Sequence, residues 1–140
     1  MQDLSVTIFQ QDLAWQDAPA NRAHFGRLLP AAAGSALALL PEMFATGFTM
    51  EPAGCAEAPD GPTVQWLRAQ AARHGCAIAG SLAIGEAGAF RNRLVFARPD
   101  GTLEHYDKRH LFRMAGEHHS YLPGSERRVI DWAGWRLCPQ

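Results

Sequence analysis

Lysine is almost absent from this chain. Of its 13 lysine and arginine residues, Lys108 is the only lysine. Arginine presents a planar, permanently charged fork, whereas lysine is a compact point charge that responds to burial. A sequence that uses arginine everywhere else and keeps one ammonium indicates a site that needs a small cation. Chance in an arginine-rich composition is an equally good explanation of Lys108 taken alone.

The sequence also lacks a membrane span, a signal peptide, a basic stripe and a disulfide framework. No apolar run is long enough to cross a bilayer, and residues 1–4 do not begin a secretory signal. The net charge is −1, so a nucleic-acid partner is not expected. Three cysteines without metal-ligand spacing argue against disulfides and predict a cytoplasmic protein with reduced thiols.

Strand and helix patterns alternate along the chain. They predict one α/β domain with the order β-α-β-α-β-β-β, followed by an ordered loop over residues 113–125. A capping carboxylate before a proline predicts one helix start at Asp17 and another at Asp60, and Pro30 and Gly75 are the expected helix ends. The predicted strands are residues 4–10, 36–40, 76–84, 90–97 and 103–106, with shorter ones at 128–131 and 135–138 and a turn at 85–88.

The end of the sequence predicts a longer protein. The chain stops at residues 137–140, in the middle of an apparent strand, and a sheet with only two helices cannot cover both of its faces. We therefore expect residues 1–140 to be the N-terminal part of a single domain.

Ionisable residues follow two of the predicted strands. Glu42 comes directly after the buried strand 36–40, and Lys108 follows the strand 103–106. Binding sites in α/β sheets form beyond the carboxyl ends of strands. Pro41, Met43 and Phe44 flank Glu42 and would remove it partly from water, which suits a general base. The alternative is a loop glutamate exposed to solvent.

A third acid, Glu117, would complete a charged cluster with Glu42 and Lys108. Such a cluster is stable only if its members neutralise one another. Metal binding is the competing interpretation, because histidines surround Glu117 in the sequence. Their spacing matches no familiar metal motif, so we expect no metal. The histidines concerned are His105, His110, His118 and His119.

Three motifs together resemble the nitrilase superfamily of carbon–nitrogen hydrolases. They are Leu-Pro-Glu-Met-Phe-x-x-Gly-Phe at residues 40–48, Tyr-Asp-Lys-Arg-His-Leu-Phe at 106–112, and Glu117 followed by Tyr-x-Pro-Gly at 121–124. Gln-x-x-Leu-x-Trp at 10–15 and Gly-Trp-Arg at 134–136 are similar to the omega-amidase branch. The resemblance runs in order along essentially the whole chain.

This resemblance implies a fold and a set of roles. The fold is an α-β-β-α sandwich that pairs as a homodimer, with a Glu-Lys-Cys triad and no metal or organic cofactor. By position, Glu42 would be the general base, Lys108 would stabilise the oxyanion, and Glu117 would be an accessory acid that orients Lys108. Phe48 and Phe112 would line the pocket for a small-molecule amide. Implied substrates are ω-amides such as α-ketoglutaramate or α-ketosuccinamate, hydrolysed to a carboxylate and ammonia through a thioester.

The chain departs from the family pattern at the nucleophile. In the family, this cysteine opens a Cys-Tyr-Asp motif after the Gly-Trp-Arg strand, whereas Cys138 is followed by Pro139 and Gln140. We expect the nucleophile beyond residue 140, so that the 140-residue chain alone has no turnover. A non-enzymatic alternative is a truncated, inactive paralogue that acts as a binding or dimerisation module.

Overall fold

A mixed β-sheet forms the centre of the structure, a computed structural model that describes residues 3–140. Met1 and Gln2, which belong to the N-terminal residues where no secretory signal is expected, lie outside the described residues. Within that range the main sheet has the strands β1 (Val6–Ile8), β2 (Leu37–Leu39), β3 (Ala77–Glu86), β4 (Ala89–Ala97) and β5 (Leu103–Asp107), in that spatial order. β1, β2 and β3 run parallel to one another, and β4 is antiparallel to both β3 and β5.

The remaining elements connect these strands or follow them. The helices are α1 (Ala18–Leu28), α2 (Pro62–His74) and the short α3 (Glu117–Ser120). Single 3₁₀ turns occupy Leu29–Ala32, Pro52–Gly54 and Arg113–Ala115. A small hairpin of β6 (Ile130–Trp132) and β7 (Trp135–Leu137) ends the chain. The predicted order of main elements is present, while the predicted loop 113–125 contains a 3₁₀ turn and α3. None of the helices in residues 3–140 has the length and apolarity of a membrane span.

The two main helices begin differently. Asp17 caps α1 as predicted, because its Oδ1 accepts a hydrogen bond from the backbone N–H of Ala20 at 3.0 Å. The predicted Asp60 cap of α2 is wrong. The capping position is Gly61, and Glu57 Oε2 accepts the N–H of Thr63 at 2.7 Å instead. Glu57 can do this because its own N–H bonds to the carbonyl of Ala83 on β3, which brings Glu57 beside the helix start.

The helix ends follow the predictions. α1 stops at Leu28, and Pro30 lies in the 3₁₀ turn that continues from it. Gly75 ends α2 in the left-handed conformation, with φ of 61°. The turn between β3 and β4 is tighter than the predicted 85–88. It comprises Ala87 and Gly88, both with positive φ, as in the two-residue hairpin loops that match strand twist.

The sheet buries each of its faces in a different way. Helices α1 and α2 cover one face, where Phe25 and Leu67 pack against Ile78 of β3. On the opposite face, Ile130 of the terminal hairpin packs in a smaller cluster with Phe96 of β4. β3 is buried on both sides along most of its length, which is why its sequence reads as a continuous run of small apolar residues.

Candidate active site

Glu42, Lys108 and Glu117 meet at one edge of the sheet. β2 and β5 point in the same direction because two antiparallel pairings separate β5 from β3. Their carboxyl ends therefore deliver Glu42 and Lys108 to the same edge. Lys108 Nζ donates to Glu42 Oε1 at 2.8 Å and to Glu117 Oε2 at 3.0 Å. The structure thus brings together the three ionisable residues predicted to form a cluster.

Ser81 of β3 fixes the turn that carries Glu42. Its hydroxyl oxygen accepts the N–H of Met43 at 2.8 Å, and its carbonyl accepts the N–H of Phe44 at 3.2 Å. Met43 has a φ of 47°, a left-handed conformation that is unfavourable for a residue with a long side chain. Full burial of the Met43 side chain and the contact with Ser81 hold this conformation. The backbone directly after Glu42 is therefore fixed tightly.

The main chain also holds Lys108 on both sides. Its N–H donates to the carbonyl of Asn92, and its carbonyl accepts from Gly124 N–H, both at 2.9 Å. The ammonium lies 5.2 Å from the centre of the Phe48 ring, within range of a cation–π interaction. Burial alone would lower the pKa of Lys108. Hydrogen bonds to Glu42 and Glu117 outweigh that effect and raise the pKa above its usual range.

Glu117 is a buried carboxylate with three donors. Its side chain is 0% exposed, against 18% for Lys108 and 49% for Glu42. Burial would raise the pKa of Glu117. Hydrogen bonds from the Asn92 side chain, the Phe112 N–H at 2.6 Å and Lys108 more than compensate, so that the pKa lies below its usual range. The desolvated carboxylate of the cluster is therefore Glu117. The sequence predicted that Met43 and Phe44 would partly shield Glu42 from water. Instead the Glu42 side chain is about half exposed, because both neighbours point into the core.

The half-exposed Glu42 borders a cavity of about 270 Å³. Its Oε1 accepts from Lys108 and from Asn92, while Oε2 has no hydrogen-bond donor among residues 3–140. With both carboxylates ionised and Lys108 protonated, the cluster carries one net negative charge. The free oxygen of Glu42 can thus accept a proton from a group that enters the cavity, and the ammonium beside it can stabilise developing negative charge.

Asn92 of β4 is a site residue that the sequence analysis missed. It is 2% exposed, and its Nδ2 donates to Glu42 Oε1 at 2.7 Å and to Glu117 Oε1 at 3.0 Å. In the sequence Asn92 lies between Arg91 and Arg93, a polar pattern that is typical of an exposed strand end. Only the pairing register, which places Asn92 opposite Ala83, could have located it.

Of the two predicted pocket phenylalanines, Phe48 lies beside the ammonium. The Phe48 ring faces Lys108, and the centre of the Phe112 ring is 6.4 Å from that of Phe48. Neither ring is among the described residues that line the cavity next to Glu42, which include Ser81, Asn92, Tyr106 and Gln140. Phe112 contributes its backbone N–H to Glu117, and its side chain is half-exposed.

The histidines next to Glu117 do not form a metal centre in the described part of the chain. No group of three or more histidine, cysteine or acidic side chains there is arranged to hold an ion. His118 and His119 lie in α3 with their ring centres 3.9 Å apart. Partial burial, together with the charges of His119 and Arg113, lowers the pKa of His118. Glu117 itself bonds to Lys108 and Asn92 instead of to these rings.

Gly124 supports the strand end that carries Lys108, and its replacement tests that support. A β-carbon at this position would collide with the carbonyl oxygen of Asp107. We expect Gly124→Ala to lower the free energy of unfolding by about 1–3 kcal/mol through overpacking. Thermal unfolding measures the effect.

Gly26→Ala is the matched control for this prediction. A β-carbon on Gly26, inside α1, meets nothing within 4 Å. Alanine is favoured over glycine in a helix interior, so the free energy of unfolding should rise by up to about 1 kcal/mol. If the two variants change the free energy of unfolding equally, the close approach of Gly124 to Asp107 does not affect stability.

Sequence comparisons identify the family of this chain. The carbon-nitrogen hydrolase family matches residues 5–138, and the chain belongs to that family. This finding confirms the resemblance to the nitrilase superfamily and its α/β sandwich fold.

Individual relatives make the similarity more specific. The chain is 48% identical over 140 residues to Omega-amidase YafV from Yersinia enterocolitica and 45% identical over 139 residues to Omega-amidase YafV from Escherichia coli K12. The two matches cover 100% and 99% of this chain, and each covers 54% of the relative. The chain therefore spans about half the length of the curated relatives it matches.

Solved structures show the same fold. XC1258 from Xanthomonas campestris, a CN-hydrolase superfamily protein with an arsenic adduct in its active site, superposes with a TM-score of 0.95 at 48% identity. That match covers 100% of this chain and 53% of XC1258. The amidase from Nesterenkonia sp. AN1 has a TM-score of 0.86 at 22% identity, over 97% of this chain and 56% of its own, and shares the fold alone.

Proposed function

We propose that this chain is the N-terminal part of a single carbon–nitrogen hydrolase domain that hydrolyses a small ω-amide to a carboxylate and ammonia. The observation that carries the proposal is the cluster of Glu42, Lys108 and Glu117, in which Glu42 lines a cavity and its Oε2 has no hydrogen-bond donor among residues 3–140. Relatives of 45–48% identity that are omega-amidases support the choice of reaction. Candidate substrates are α-ketoglutaramate and α-ketosuccinamate.

The cluster would divide the work of a cysteine amidase. Glu42 removes the thiol proton, and the thiolate attacks the amide carbonyl, forming a C–S bond and an oxyanion that Lys108 stabilises. Glu42 returns the proton to the amide nitrogen, and the C–N bond breaks. Ammonia departs, and the acyl group remains bound to the cysteine as a thioester. Glu42 then deprotonates a water that attacks the thioester, and the proton returns to the sulfur as the C–S bond breaks. Glu117 keeps Lys108 in place throughout.

We place the nucleophile after residue 140 in the complete protein. Gln140 lines the cavity together with Glu42 and Lys108, so residues that follow it would enter the cavity directly. Cys138 is a weaker candidate because, among residues 3–140, the hydrogen-bond partners of its sulfur are its own neighbours, the Pro139 carbonyl and the Gln140 amide. Cys55 and Cys76 are free thiols whose pKa burial raises, which makes them poor nucleophiles.

Further proposals concern the pocket, the assembly and the compartment. Phe48 and Phe112 would bind substrate next to the ammonium, since the Phe48 ring faces Lys108 and the Phe112 ring lies next to that of Phe48. The complete protein would be a homodimer that needs neither metal nor organic cofactor. The free thiols favour a reducing compartment such as the cytoplasm.

The test compares the complete protein with the 140-residue chain. We expect ammonia release from α-ketoglutaramate or α-ketosuccinamate by the complete protein, with a thioester adduct visible in its intact mass. The 140-residue chain should give neither signal, because a triad without its nucleophile loses covalent catalysis. Turnover by the 140-residue chain would place the nucleophile at a cysteine within it. A complete protein that releases no ammonia and forms no adduct would contradict the amidase proposal.

A further inference from the structure

We propose that Asn92 is a positioning residue that ties Glu42 to Glu117 and thereby turns Glu42 Oε2 towards the cavity. This inference rests on the proposed function and deepens it, because it adds to the cluster a residue outside the Glu-Lys-Cys triad. It concerns how the base is held, not which group reacts.

The geometry of Asn92 is that of a bridge. A primary amide nitrogen carries two hydrogens, and an ionised carboxylate only accepts hydrogen bonds. Asn92 Nδ2 gives one hydrogen to Glu42 Oε1 at 2.7 Å and the other to Glu117 Oε1 at 3.0 Å. Its carbonyl oxygen in the main chain accepts the N–H of Lys108 at 2.9 Å. One residue of β4 therefore contacts all three charged residues of the cluster.

An amide suits this position better than another charged group would. A second cation between the carboxylates would cancel the net negative charge that lets Glu42 take up a proton. An apolar side chain would leave two carboxylates close together with Lys108 as their only common partner, and like charges repel strongly in a buried setting. The neutral amide supplies two donors without changing the charge. Glu117 is 0% exposed, so water cannot replace the donor that it would lose.

Without Asn92, Glu42 would lose one of the two hydrogen-bond donors that fix the orientation of its carboxylate. Its side chain is 49% exposed, and its known donors within residues 3–140 are Lys108 and Asn92, both on Oε1. A carboxylate held by a single flexible lysine can rotate and offer either oxygen to it. Asn92, fixed within the strand ladder by the backbone pairing of β4, restricts that rotation. The expected effect is on the rate of the chemical step more than on substrate binding.

Two variants of the complete protein test the bridge without relying on activity. Asn92→Leu keeps the number and branching of the side-chain heavy atoms and removes both donors, and Asn92→Ser keeps one donor. Asn21→Leu is the matched control, because Asn21 is equally buried and bonds only to main-chain groups. The probe is the ¹³Cε resonance of Lys108 in lysine-labelled protein, assigned by its loss in Lys108→Arg.

The titrations of these variants should differ. In the native protein the resonance should show a Lys108 pKa above the usual range for lysine and an acid step for Glu117 below the usual range for glutamate. In Asn92→Leu we expect the pKa of Glu117 to rise, since a hydrogen bond to the ionised acid is lost. The pKa of Lys108 should rise further, because the ammonium is then the only common partner of the two carboxylates. Asn92→Ser should lie between, and Asn21→Leu should match the native values. If Asn92→Leu titrates like the native protein, or if Asn21→Leu shifts equally, the bridge is refuted.

Kinetics then separate this inference from the proposed function. If the amidase proposal holds, Asn92→Leu should lower kcat by about 10–10²-fold with little change in KM, as expected for a misplaced base. An unchanged kcat in a protein whose Lys108 resonance has shifted would overturn the positioning role while leaving the amidase proposal intact. If the native protein has no amidase activity, the titration still decides whether Asn92 organises the cluster, and the proposed function alone fails.

Discussion

Lys108→Arg is expected to lower the kcat of the complete protein by at least about 10²–10³-fold, the loss typical of removing one oxyanion-stabilising group. The charge is kept, so the loss would come from shape. The ammonium occupies a narrow position between Glu42 and Glu117, with the Phe48 ring 5.2 Å away. A guanidinium is larger and planar, and it binds a carboxylate through both oxygens. It would engage Oε2 of Glu42, the oxygen that must stay free to act as a base.

Steady-state ammonia release, with thermal unfolding in parallel, measures this effect. The matched control is Arg109→Lys, which makes the reverse exchange at the next residue, outside the cluster. We expect that variant to keep native kcat. Near-normal hydrolysis by Lys108→Arg would contradict the proposal that the Lys108 ammonium is specifically needed to stabilise the oxyanion, because any cation would then suffice.

Glu42→Gln is expected to slow thioester formation by about 10²–10⁴-fold while leaving the fold intact. Glutamine keeps the length of the side chain and an oxygen that can accept from Lys108 and Asn92. It cannot take up the thiol proton. Stability should change little, because the side chain is half-exposed and an ion pair in that setting contributes at most about 1 kcal/mol.

A single-turnover measurement of ammonia release isolates the acylation step. Glu126→Gln serves as the control, since Glu126 is an exposed acid paired with Arg128. It should have no effect on either rate or stability. A normal rate of ammonia release by Glu42→Gln would remove Glu42 from the role of general base.

The sequence predicts those features that depend on neighbouring residues. Asp17 and Gly75 act on the helix ends directly beside them, so their roles are visible without tertiary structure. The positions of Glu42 and Lys108 after strands follow from the same local pattern. Their meeting at one edge is also accessible, because it requires only that β2 and β5 point the same way.

Contacts set by strand pairing were not accessible from the sequence. Asn92 reaches Glu42 because β4 pairs with β3 in a particular register, and nothing in the polar stretch of residues 91–93 encodes that register. Glu57 replaces Asp60 as the cap of α2 because its backbone bonds to β3. The degree of burial also depended on packing: the side chains of Met43 and Phe44 turned inward and left Glu42 half-exposed.

The hydrogen bonds of the charged cluster join segments that are far apart in the chain. Fifty residues separate Asn92 from Glu42, and 66 separate Lys108 from Glu42. Contacts of such long range form late in folding, after the loops between them have closed. The β3–β4 hairpin, by contrast, is local and can form early. During refolding, the shift of the Lys108 resonance should therefore lag behind the burial of the hairpin, and nascent chains would carry no assembled cluster until both β5 and α3 have docked.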